Sequence, residues 1–515
     1  MAKPGTDETV PGRQAAIGGI RVRTGDSSVC PRISHSLTGF AAVCDSSVFL
    51  PEWLFMPNNG SPKAAEAAQA KYAWYKELTG YHWFVLVVAS LGWLFDTMAQ
   101  QLFNLARTPA VRELLNVRPG DVSMDATVKQ QGTIATAIFM VGWALGGVVF
   151  GILGDRIGRA KTMILTILFY SLFTGISIFA TGMWDFNLYR FLCGLGVGGQ
   201  FAVGVALVAE TMPERARPHA LGQVQALSAV GNMLAALTGI AFGKLQEAGT
   251  IDAHWAWRCL FLAGAAPAPL ALVVFKKLKE PESWLKARAE KKRMGSFGDL
   301  FVDPRWRRNS IIGMLLAFAG VVGLWGIGFF SYDLLRPVLE RSFRADGLTG
   351  AALSGKTSMW IGITSLVQNF GAYLGINAFT WLTTRTSRRF AFAVSFVAAM
   401  VMTAFTFWRV QTLTDILWMI PLMGFSQLAL FGGYAIYLPE LFPTRLRSTG
   451  TSFCYNVGRL VAAAGPFTLG FLTSSVYKDT PEPMRYAGVT MCLVFLIGLA
   501  ALPFAPETKG QPLPE

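Results

Sequence analysis

Asp96, Arg190 and Arg459 are charged residues that fall inside long apolar runs of a 515-residue chain that is 52% hydrophobic and only 15% charged. A charge at such a position is costly unless it faces the protein interior or a water-filled path, so these side chains bind, pair with or relay other charge. Asp96 belongs to Trp93-Leu-Phe-Asp96-Thr-Met-Ala-Gln100-Gln-Leu-Phe-Asn104, which sets Asp96, Gln100 and Asn104 at i, i+4 and i+8 on one helical face. A carboxyl there can titrate if burial shifts its proton affinity; the alternative is a structural acid bonded to a neighbouring helix. Arg459 belongs to Cys454-Tyr455-Asn456-Val-Gly458-Arg459. Its guanidinium suits a carboxylate ligand better than a neutral sugar, with structural pairing to an acid as the alternative. Amides and rings recur elsewhere at helical spacing: Gln225, Ser228 and Asn232; Trp325, Tyr332 and Asp333; Gln368, Asn369, Tyr373 and Asn377; Gln427, Phe431 and Tyr434. As a set they can line a central cavity, whereas any one alone is more often an interhelical bond or packing.

The elements that carry these residues are runs of about 20 apolar residues, the length of helix that crosses a hydrocarbon core. About twelve occur, at roughly 81–104, 131–153, 162–181, 186–209, 220–243, 258–275, 310–333, 357–382, 389–408, 414–438, 449–473 and 485–504. Lipid offers no partner to free backbone groups, and a barrel would need shorter alternating strands, so the expected fold is an all-α polytopic membrane protein. The expected division is a tail at 1–80, a six-helix bundle at 81–275, a basic linker at 276–309, a second six-helix bundle at 310–504 and a tail at 505–515.

The net charge of +14 is confined to particular loops rather than to one nucleic-acid-binding face. Arg156, Arg159 and Lys161 follow span 2, Arg215 and Arg217 span 4, Arg385, Arg388 and Arg389 span 8, and Arg445 and Arg447 span 10, while eleven Lys and Arg crowd 276–308 after span 6. Positive charge on the even-numbered loops puts them and both termini in the cytoplasm, in an inner or plasma membrane. The loop after span 1 is less tidy, with Arg107, Arg112 and Arg118 only partly offset by Glu113, Asp121 and Asp125. The six scattered cysteines form no CxxC and read as isolated thiols. The first 80 residues hold no long signal-type apolar run, and the short patch Val48–Met56 reads equally as a surface-lying or a disordered segment.

The chain also repeats itself. Glu210-Thr-Met-Pro213-Glu-Arg-Ala-Arg217 returns as Glu440-Leu-Phe-Pro443-Thr-Arg-Leu-Arg447, 230 positions later for 440 against 210 and for 447 against 217. At the same shift Asp155-Arg-Ile-Gly-Arg159 faces Arg385-Thr-Ser-Arg-Arg389, and Arg459 faces Ala229. Two copies of a membrane unit is how many transporters are built. Gly151-Ile-Leu-Gly-Asp155-Arg156-Ile-Gly158-Arg159 resembles the signature between helices 2 and 3 of the major facilitator superfamily. The 210–217 and 440–447 motifs, with Pro281-Glu-Ser-Trp-Leu285 and Pro506-Glu-Thr-Lys-Gly510, resemble its sugar-porter and organic-acid/proton symporter branches.

The resemblance implies twelve helices in two pseudo-symmetric six-helix bundles. It implies that Gly151 admits a close helix neighbour while Asp155 meets the positive end of a helix across the interface. Glu210 with Arg217 and Glu440 with Arg447 would be gating ion pairs, alongside Arg156 and Arg159. The second copy of the signature is degenerate, with Arg385 opposite Asp155. Asp96 resembles the first acid of the helix-1 motif of proton-coupled organic-acid porters, but Ala99 stands where the second is expected, and Gln200 occupies another position that is often acidic. Arg190 is implied in proton coupling or anion attraction, with Asp96 as its partner, and Arg459 and Asn456 in substrate binding. The expected function is secondary active transport of a small carboxylate by alternating access, proton-coupled through Asp96 and Arg190. A sugar porter is the rival, and a transport-fold sensor the third reading. No nucleophile–base pair, metal-ligand cluster or phosphate loop points to an enzyme or a cofactor. The expected partners are the solute, protons and the bilayer, with no nucleic acid, and the expected state is a monomer.

Overall fold

The computed structural model describes residues 73–118, 121, 123–247, 250–327, 331–462 and 465–515. They fall in the compact unit Asn59–Glu515; most of the expected tail, its patch at 48–56 included, lies outside the described residues. Every regular element among the described residues is helical. The first half runs α1 (Gly80–Leu114), α2 (Asp125–Arg156), α3 (Arg159–Ile176), α4 (Met183–Thr211), α5 (Arg217–Glu247), α6 (Ala253–Gly264) and α7 (Ala268–Lys277). Short helices α8 (Glu282–Ala289) and α9 (Asp299–Val302) form the linker. The second half runs α10 (Pro304–Val321), α11 (Ser331–Ala345), α12 (Gly350–Arg385), α13 (Arg388–Arg409), α14 (Leu413–Glu440), α15 (Arg447–Ala462), α16 (Gly465–Phe471), α17 (Pro483–Met491) and α18 (Phe495–Ala501).

Nine helices or joined helical runs among the described residues are long and apolar enough to cross a membrane. The expected spans at 258–275, 357–382 and 449–473 are helical too but fall outside that set. Pro267 and Pro269 divide the first into α6 and α7, because proline cannot donate into the ladder. The second, α12, is diluted by Gln368, Asn369 and Asn377, and the third is divided into α15 and α16.

Packing follows the repeat. Within the halves α2 lies against α4 and α12 against α14; between them α5 meets α12 and α2 meets α15, each contact the counterpart of the other. Small residues permit this closeness, as they must where lipid supplies no hydrophobic drive between helices. Cβ atoms added at Gly146 and Gly375 would enter the backbones at Leu195 and Phe425.

Those two glycines correct the expected register, since they lie 229 positions apart (375 − 146) rather than 230. The same shift runs through the turn that follows: Arg159 donates to the carbonyl of Gly154, and Arg388 donates to that of Thr383. Arg388 is therefore the counterpart of Arg159, and Thr384, not Arg385, stands in the place of Asp155. The one-residue deletion is invisible to a comparison that holds the shift fixed.

Candidate functional site

Trp143 of α2 and Phe201 of α4 meet Arg459 and Tyr455 of α15 at the junction of the halves, with Trp93 of α1 against Phe201 and Asp96 of α1 within the field of Arg459. Arg459 is 2% exposed, and its guanidinium carbon lies 3.9 Å from the centroid of the Trp143 ring and 4.1 Å from that of Tyr455. Its Nη1 donates to Asn456 Oδ1 at 3.2 Å, while Nε has no hydrogen-bond partner among the described residues. A ring-face contact stabilises a desolvated guanidinium without consuming an N–H, and Nε stays available to an anion.

Asp96 is 1% exposed, and neither carboxylate oxygen has a hydrogen-bond partner among the described residues. The charge that acts on it is Arg459, across the junction and beyond direct contact. Further rings pack around the two that flank Arg459. Phe201 stacks on Tyr455 at 4.0 Å and lies 5.0 Å from Trp93, whose indole N–H donates to Gln225 Oε1. Trp143 meets Trp325 at 5.8 Å; Phe431 and Tyr434 lie 6.1 Å and 6.5 Å from Tyr455. Tyr434 directs its hydroxyl away, to the carbonyl of Leu316.

The structure thus gathers Asp96, Arg459, Asn456, Gln225, Trp325, Phe431 and Tyr434, and adds Trp93, Trp143, Phe201 and Tyr455, which the sequence reading did not select. An apolar ring in a membrane helix carries no polar signal; only proximity to Arg459 marks these. Other candidates are engaged elsewhere. Gln427 donates to Thr403 inside its own bundle. Asn232 donates to Asn369, and Gln223 to Asn377, tying α5 to α12. Asn104 donates to Gln101 on its own helix, Gln100 and Gln368 are buried, and Tyr373 is half-buried. The side chains of Tyr332 and Asp333 lie outside the described residues.

Arg190 does not pair with Asp96. Its guanidinium lies 4.6 Å from the centroid of Phe261 and 5.4 Å from that of Phe103, and it bonds to Ser177 and to the Phe173 carbonyl. Gln200 accepts from Thr166 at 2.6 Å and binds α4 to α3.

Residues 89–466 match the model of the Major Facilitator Superfamily. The chain belongs to that superfamily. It is 28% identical over 442 residues to a probable 4-methylmuconolactone transporter of Cupriavidus pinatubonensis, a match covering 85% of this chain and 94% of that one. It is 26% identical over 426 residues to the niacin transporter NiaP of Acinetobacter baylyi, covering 76% of this chain and 87% of that one. Among solved structures, the proton:xylose symporter XylE bound to 6-bromo-6-deoxy-D-glucose aligns with a TM-score of 0.65 at 16% identity, over 84% of this chain and 98% of that chain, and shares the fold. These relatives are transporters, and so is the superfamily; it is not a family of enzymes.

The even-numbered loops of this facilitator gather at one end, the basic face, in a network that joins the halves. Asp155 accepts from the backbone N–H of Ser448 and Thr449 and from the Thr449 hydroxyl, at 3.1, 2.9 and 2.6 Å, so a carboxylate from α2 caps α15. Gly151 and Gly147 allow the approach, because a Cβ at either would enter Ser452 or Asn456. The ion pairs are not those expected within each repeat. Glu210 pairs with Arg159 and, across the junction, with Arg447, each at 2.8 Å. Glu440 pairs with Arg388 at 2.9 Å, and Arg217 instead lies in the field of Glu440. The sequence spacing showed which residues were charged but not that the pairing crosses over.

The linker fastens this network. Arg156 donates to the Gly295 carbonyl, Trp284 to that of Asp155, and Arg445 pairs with Asp299 at 2.8 Å. Slight burial would raise the Asp299 pKa, but bonds from Ser296 and Arg445 outweigh it and hold the carboxyl below its usual range. That tie is present at neutral pH and is lost as pH falls through the lowered value. Glu280 and Glu507 cap α3 and α13 in parallel, each accepting two backbone N–H groups.

Asp155→Asn keeps the shape of the α15 cap and removes its charge. Hydrogen exchange at Ser448 and Thr449 is expected to accelerate about ten-fold or more, the equivalent of losing a charge-assisted bond. Unchanged exchange there would show that the cap does not hold the basic face.

Proposed function

We propose that this facilitator carries a small, flat organic carboxylate across the membrane by alternating access, with Arg459 as the anion anchor and Asp96 as the proton carrier. One observation carries the reading: a guanidinium with an unspent N–H lies between two aromatic rings, facing an unbonded buried carboxylate from the other half. An anion on Arg459 cancels the positive field at Asp96, so anion and proton favour each other's binding. Rings on both sides of the junction favour a planar, unsaturated skeleton over a polyhydroxylated one. The 4-methylmuconolactone and niacin named for the two relatives agree with a flat, unsaturated solute. The aromatic enclosure and Arg459 disfavour the sugar-porter rival despite the sugar-porter-like endings.

In this reading the basic face is cytoplasmic, as its charge demands, and both termini lie there in an inner or plasma membrane. Counting the three divided or diluted helical runs with the nine apolar ones gives twelve spans in two bundles of six. The protein acts as a monomer. Gly151, Asp155, Arg156, Arg159, Glu210, Arg217, Glu440 and Arg447 form the inner gate, closed in this conformation, and Arg190 stays a packing cation of the first bundle. The test is uptake into proteoliposomes of benzoate, nicotinate and muconate against acetate, xylose and glucose, with and without a pH gradient. Gradient-driven uptake of the flat acids is expected; saturable uptake of sugars alone would contradict the assignment.

A further inference from the structure

Below the second bundle, at the basic face, lies a cavity of about 830 Å³ that the transport site does not use. Arg305 and Arg308 at the start of α10, Arg389 at the start of α13 and Glu440 at the end of α14 line it, with residues 506–514 after the last span as one wall. Three guanidinium groups thus face one carboxylate, and that carboxylate is already engaged by Arg388 and by the Thr508 hydroxyl. Behind the wall Glu507 is consumed in capping α13, and Lys509 stands close to Arg388. Partial burial, and after it the Arg388 charge, holds Lys509 below the ordinary lysine range. Arg389 Nε is buried with no hydrogen-bond partner among the described residues, while Arg305 and Arg308 are exposed. An unbonded guanidinium nitrogen beside two exposed guanidinium groups, of which Arg308 donates one bond to the Phe504 carbonyl, in a space larger than a side chain needs, is an incomplete anion site.

We propose that this cavity binds a phosphate-bearing ligand, through Arg305, Arg308 and Arg389, and that the occupied site holds the basic face closed. The same wall reaches the gate: Arg447, which pairs with Glu210 across the junction, donates to the Pro514 carbonyl at 2.9 Å. A ligand that braces residues 506–514 against the arginines braces the Arg447 contact with them, and differential affinity for the closed state shifts the equilibrium towards it. The effect on transport rests on the alternating-access reading; the binding does not.

The probe is inorganic pyrophosphate, titrated by calorimetry into the full chain in dodecyl maltoside, which carries no phosphate. Saturable binding is expected, weakened about ten-fold or more in an Arg305→Gln, Arg308→Gln double variant, the loss expected for two charge-assisted contacts. Because both side chains are exposed, the variant keeps the fold and basal uptake. Adding phosphatidylglycerol separates the sources: competition with pyrophosphate assigns the site to a lipid headgroup, and its absence assigns it to a soluble phosphate, either outcome supporting the site. In proteoliposomes, pyrophosphate on the basic-face side slows uptake by the parent protein but not by the double variant. No saturable binding, or equal affinity in the variant, overturns the proposal; binding without an effect on transport overturns only the link to the gate.

Discussion

Arg459→Lys is expected to lower kcat/KM for a carboxylate solute by about ten- to hundred-fold although the positive charge remains. The guanidinium carbon lies 3.9 and 4.1 Å from the ring centroids of Trp143 and Tyr455, and in the proposed role its N–H groups bind the solute, whereas an ammonium is a compact, strongly hydrated point that makes neither contact as well. Arg459→Met removes the anchor altogether and is expected to abolish uptake. The structural alternative, in which Arg459 exists to neutralise an acid, makes the opposite forecast for stability. A buried cation without an ion pair among the described residues is a liability to the fold, so Arg459→Met is expected to leave the thermal midpoint unchanged or raised. A midpoint that falls together with uptake would assign Arg459 to architecture.

Asp96→Asn is expected to abolish accumulation driven by a pH gradient while leaving counterflow exchange of the same solute. Asparagine has the shape of a protonated aspartate and cannot release the proton, so a carrier locked in that state can exchange solute but cannot do uphill work. With Ala99 where a second acid is expected, and Gln200 holding α4 to α3, Asp96 is the acidic candidate whose side chain is described near Arg459. The magnitude is total in the driven assay and small in exchange. Accumulation that survives in Asp96→Asn would remove Asp96 from the coupling step.

Fold class and the basic face were legible from the sequence because each rests on a strong, local signal. Apolar run length dictates helices in lipid, and charge asymmetry marks the even-numbered loops. The internal repeat located Asp155, Glu210 and Glu440 for the same reason. It failed where the third dimension decides. Glu210 reaches Arg447 rather than Arg217 because the halves meet face to face, a pairing that no spacing within one repeat encodes. The register of the repeat changes by one residue between Arg159 and Leu195, so the counterpart of Asp155 is Thr384, one residue from where a fixed shift puts it. The proposed binding site was half legible. Asp96, Asn456 and Arg459 stood out as polar residues in apolar surroundings, but Trp143 and Phe201 are apolar among apolar residues and enter the proposed site only by touching α15. Several amides that stood out equally, Gln427 and Asn369 among them, hold helices together instead.

The central claim is that Arg459 reads the negative charge of a flat solute. The direct measurement compares the best-transported acid with its own primary amide, a near-isosteric pair differing in charge, for uptake by the parent protein and by Arg459→Lys. The account predicts that the parent prefers the acid by about 100-fold, the worth of a charge-assisted guanidinium–carboxylate contact, and that the preference largely collapses in the variant. Equal handling of acid and amide by the parent protein, or an undiminished preference in the variant, would contradict it.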